Sequence, residues 1–114
     1  MAELSKSKRP SNIMTDPSLW KIWGVAEANL KDARRYLVES IAEIDSDRYS
    51  LTQFDEYLSQ NELGLALGEI ASIAEELVCK AAFWRRLEAA AEVMGRTQAA
   101  AKYREKFLAE VNRH

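Results

Sequence analysis

Between Pro17 and Ile44 the large apolar residues fall at every seventh position: Trp23, Leu30, Leu37 and Ile44. Small residues lie between them at Ala26, Ala33 and Ser40. Seven residues make nearly two turns of an α-helix, so the large side chains line one seam and the small ones let a neighbour come close. No segment alternates apolar and polar residues at period two, the pattern of a half-buried strand. Four glycines and two prolines also leave little material for hairpins. The chain is therefore expected to be all-α, with one long helix pressed against shorter ones.

Asp16-Pro17 reads as an N-cap followed by proline at the first helical position, and Gly24 is a candidate break in the helix it starts. Asp45-Ser46-Asp47 interrupts the pattern. Ser50 with Gln53 spells a capping box for a short helix through Phe54, Tyr57 and Leu58. Asn61 is the expected N-cap of the next helix, which would bury Leu63, Leu67, Ile70, Ala74 and Leu77. A further helix carries Phe83, Leu87, Ala90, Ala91 and Met94, and Gly95 is placed to end it. Thr97 can cap the last, whose stripe is Ala100, Ala101, Phe107 or Leu108, and Val111. Tight connections force mostly antiparallel neighbours. The expected architecture is a compact bundle of four main helices plus one short helix, a single domain over residues 13–114. Residues 1–12 mix Ser, Lys, Pro and Asn without periodicity and read as a disordered basic tail.

Little in the sequence suits catalysis. The single histidine is His114, the final residue, which removes Ser-His-Asp and Cys-His chemistry and the Glu-x-x-His pairs of di-iron bundles. Cys79 stands beside Lys80, which could lower its pKa, but a lone cysteine near a helix end reads first as a packing residue. Asp45, Asp47 and Glu56 fit positions 1, 3 and 12 of a calcium loop. Ser50 replaces the glycine such a loop requires and Tyr49 replaces an oxygen ligand, so the segment reads as a turn rich in capping acids. No glycine-rich phosphate loop is present. No enzyme activity, metal or cofactor is expected. Apolar runs fall far short of the ~20 residues that span a bilayer, and no apolar region follows Lys6, Lys8 and Arg9, so a cytoplasmic protein without membrane contact is expected.

Three further features have structural readings. Gly64 and Gly68 form a G-x-x-x-G, expected to mark an internal helix crossing. Trp20 and Trp23 could anchor a partner, but burial preference favours their folding into the core. Trp84, beside Phe83, is expected in the core or at its edge.

Charge is sharply segregated. Residues 39–76 carry ten acidic side chains and one basic one, Arg48, for a net of −9, while residues 1–38 are net +3 and residues 77–114 net +4. Such an acidic block attracts a cationic protein and repels nucleic acid. At 100° per residue Glu62, Glu69 and Glu76 share one strip of their helix, about 120° from its buried stripe. Leu65 and Ile73 flank that strip, and Asp45, Asp47, Asp55 and Glu56 surround it. Acids with aliphatic residues set among them can steer a partner at long range and make desolvated contacts at short range. These nine residues are the candidate binding site.

The run Tyr57-Leu58-x-x-Asn61-Glu62-Leu63-Gly64-Leu65-Ala66-Leu67-x-x-Ile70, followed by Phe83-Trp84-x-x-Leu87-x-x-Ala90-Ala91-x-x-Met94-Gly95, resembles small α-helical immunity proteins of bacterial polymorphic-toxin and contact-dependent inhibition systems. The resemblance covers residues 57–95. It implies a cytoplasmic protein that binds one cognate toxin and blocks it by occlusion, without catalysis or cofactor. Many such toxins are basic nucleases, which would suit the acidic block. The alternative is a helical adaptor or assembly subunit, a homodimer through the Trp23–Ile44 seam or the glycine face. The chain would accordingly be a monomer or a homodimer.

Overall fold

A computed structural model describes residues 17–45 and 47–113, with side chains from Leu19 onward. The tail expected over residues 1–12 and the cap expected at Asp16 lie outside the described residues. Five helices follow one another: α1 (Pro17–Glu43), α2 (Thr52–Ser59), α3 (Leu63–Ala74), α4 (Ala81–Val93) and α5 (Thr97–Asn112). Among the described residues there is no strand, and the fold is an all-α bundle. No described helix is long and apolar enough to cross a membrane.

The long helix is unbroken. Gly24 lies inside α1, with open space where its Cβ would be. One glycine costs a helix interior about 1 kcal/mol, too little to halt a helix whose seam is buried on the C-terminal side of it. That seam is occupied as expected: Leu30, Leu37, Ala26 and Ala33 are fully buried and Ser40 nearly so. Ile44 is instead half exposed, because α1 closes just before it. Asp45 turns left-handed (φ 51°) and donates its N–H to the Ala42 carbonyl at 3.1 Å.

The seam faces α4. Arg86 reaches Asn29 and Asp32, whereas Lys80 reaches Glu39 at 3.0 Å. Numbers rising along α1 meet numbers falling along α4, so the two helices are antiparallel. On its other side α4 packs against α5 through Trp84, whose ring lies 4.9 Å edge-on from Phe83 and 6.0 Å from Tyr103. Tyr103 was not expected in the core. It belongs there because the buried stripe of α5 is Ala100, Tyr103 and Phe107, one step round from the Ala101–Val111 line. Ala101, Leu108 and Val111 are accordingly exposed.

Helix ends, rather than helix starts, set the connections. Gly95 (φ 77°) donates to the Glu92 carbonyl at 3.1 Å and Arg96 to that of Ala91 at 2.9 Å, a Schellman closure of α4. Asn61 (φ 61°) does the same for α2: its N–H reaches Leu58 at 3.0 Å and that of Glu62 reaches Tyr57 at 2.8 Å. Asn61 thus ends α2 instead of capping α3, and Glu62 takes the cap position. Arg96 likewise displaces Thr97 at the start of α5. The capping box at Ser50 does not form. Leu51 is the cap of α2, the Ser50 hydroxyl accepts from the Thr52 N–H at 3.2 Å, and the Gln53 amide turns toward Glu56. Links this short leave no residue to spare between one closure and the next helix.

The glycine pair does not mark a helix crossing. The Arg96 guanidinium lies where a Cβ on Gly64 would sit, and nothing lies within 4 Å of the corresponding point at Gly68.

Leu37→Ala is expected to cost ~2–5 kcal/mol in denaturant unfolding, since Leu37 is fully buried and its truncation opens a cavity in the core. A neutral result would put the seam in solvent. Gly68→Ala is expected to raise stability by about 0.5–1 kcal/mol, because it gains helix propensity without meeting a neighbour. A loss of stability there would reveal a close contact on that face.

Candidate functional site: an acidic helix face

Helix α3 is LGLALGEIASIA, with Glu69 as its single charged residue. Its inner side buries Leu63, Ala66, Leu67, Ile70, Ala71 and Ala74. Its outward side presents Leu65, 54% exposed, with Gly68 and Ser72, and Glu69 stands partly exposed along the edge. Beyond the helix end Glu76 is exposed, like Leu65. Ile73 does not stand on the surface beside it. It is half buried and packs against the core. Glu62 is half exposed at the start of the helix, where its carbonyl accepts the Ala66 N–H at 2.9 Å.

Folding brings cations from the flanking segments onto the acidic block. Arg34 of α1 clamps Asp55 of α2 with both arms, Nε at 2.7 Å and Nη2 at 2.8 Å from the two carboxylate oxygens. That hydrogen-bonded pair raises the Arg34 pKa above its usual value, although burial opposes it. Lys102 of α5 lies 2.8 Å from Glu75, and its hydrogen bond holds that carboxyl below the usual range. Lys80 takes Glu39 at 3.0 Å, and Arg48 approaches Glu76 at 3.5 Å. Glu56 is exposed and accepts from Gln53. None of the ion-pair partners is readable from local spacing, since Arg34 and Asp55 are 21 residues apart and Lys80 and Glu39 are 41 apart.

Other carboxylates remain unmatched. The side chains of Glu43, Asp45, Asp47 and Glu69 make no ion pair or hydrogen bond among the described residues. Asp45 and Asp47 are both exposed in the connection after α1, which the Arg48–Glu76 contact ties to the end of α3. The nine candidate residues thus separate into three groups. Leu65, Glu69, Asp45 and Asp47 are available at the surface. Asp55, Glu56 and Glu76 already have partners within the chain. Ile73 and Glu62 belong in part to the framework.

The Cys79 thiol is buried, and burial pushes its pKa up to about 11 against the weaker opposing effect of a hydrogen bond with Ser40. Lys80 does not act on it, being engaged with Glu39. Among the described residues no group of three or more His, Cys, Asp or Glu side chains is arranged to hold a metal ion. Of the aromatic pair at the start of α1, Trp23 packs against the core while Trp20 stays 43% exposed, edge-on to it at 5.5 Å. Trp84 is buried, as expected. Glu88 was not singled out from the sequence. It is a buried acid on α4 that accepts from Arg85 at 3.2 Å, while the Arg85 guanidinium lies over the Phe107 ring.

Compared with protein-family models, curated proteins and solved structures, the chain has no significant match.

With so high a pKa and so little exposure, Cys79 is expected to resist alkylation by iodoacetamide at pH 8 in the native protein and to label fully in urea. Native labelling at the rate of a free thiol would contradict this packing of the α3–α4 connection.

Proposed function

We propose that this chain is a non-enzymatic inhibitor of immunity type, which binds a cognate cationic toxin in the cytoplasm through the outward face of α3 and the acids beside it. The observation that carries this reading is the exposure of Leu65 next to Glu69 on a helix with no other charge, together with the unmatched, exposed carboxylates of Asp45 and Asp47 in the connection that Arg48 ties to the far end of that helix. An exposed aliphatic residue costs solvation in the free protein and gains it back when a partner covers it. Unmatched carboxylates, Glu69 beside it first of all, draw a cationic surface in and set its orientation. A toxin that handles nucleic acid presents a basic surface to phosphate, and an acidic face can cover that surface without touching its chemistry. Asp55 and Glu76 contribute less to the attraction, since Arg34 and Arg48 already offset them. The resemblance to immunity proteins over residues 57–95 supports the same reading.

A helical adaptor or homodimeric subunit is the second reading, favoured by Leu108 and Val111, each 46% exposed on α5. A dimer through the Trp23–Ile44 seam is disfavoured, because Leu30 and Leu37 are fully buried within the chain.

The test is Glu69→Lys combined with Leu65→Ala, assayed against the partner captured from the native host. The melting temperature is expected to change little, since exposed charges contribute little to stability. Association at low salt is expected to slow, and its salt dependence to flatten. An acidic partner, or unchanged association by the double variant, would overturn the acidic-face reading and leave the adaptor as the better description.

A further inference from the structure

We draw no further inference here: the strongest candidate, the open groove of about 320 Å³ between the end of α3 and the second half of α5, is floored by Trp84 but has Lys106 of the same chain over that ring, and nothing in the structure shows what else covers it.

Discussion

The contact between α1 and α4 is the constraint on which the rest of the bundle depends. Leu30 and Leu37 are fully buried along the α1 seam, with Ala26, Ala33 and Ser40 letting the partner helix approach. Each large side chain removed from water there is worth roughly 1.5–3 kcal/mol. The Glu39–Lys80 and Asp32–Arg86 contacts lie along the same boundary and fix its antiparallel sense more than its strength. Because α4 buries Phe83, Trp84 and Leu87, it serves two neighbours and carries α5 on its far side. Helix α3 is then bound along one stripe only. Its free side is a consequence of that order: the inner face satisfies the core, and nothing in the described chain covers Leu65 or Gly68.

The electrostatic picture changes on folding. Along the sequence, an acidic block of net −9 separates two basic flanks. In three dimensions the flanks supply Arg34, Lys80 and Lys102 to that block, each within about 3 Å of a carboxylate. Surface pairs of this kind add little stability, but they remove charge from the field a partner would meet. What remains is smaller and better localised than the sequence total implies. It rests on acids that form no ion pair among the described residues, including Glu43, Asp45, Asp47, Glu56 and Glu69, of which Glu69 stands beside the exposed Leu65.

The helical fold was legible because burial periodicity is a local property. The seven-residue seam of α1, the Leu67–Ile70–Ala74 stripe of α3 and the Gly95 stop of α4 could all be read from spacing. Capping was less legible. Asn61 can either start a helix with its side chain or end one with left-handed backbone, and only the tightness of the α2–α3 link selects the second role. Tyr103 was missed because its hydroxyl makes it look like a surface residue, whereas its ring completes the Trp84 cluster. Gly64 and Gly68 suggested a helix crossing, yet the space at Gly64 belongs to the long side chain of Arg96. The candidate site was legible in position but not in pairing, since ion pairs across 21 or 41 residues leave no signature in either segment.

The claim that α3 presents a binding face is tested most directly by hydrogen–deuterium exchange on the chain alone and in complex with its captured partner. Exchange is expected to slow over residues 43–47 and 62–76 on binding, while α5 is unchanged. Protection confined to α5 or to the Trp20–Val25 end of α1, with α3 exchanging as in the free protein, would contradict it.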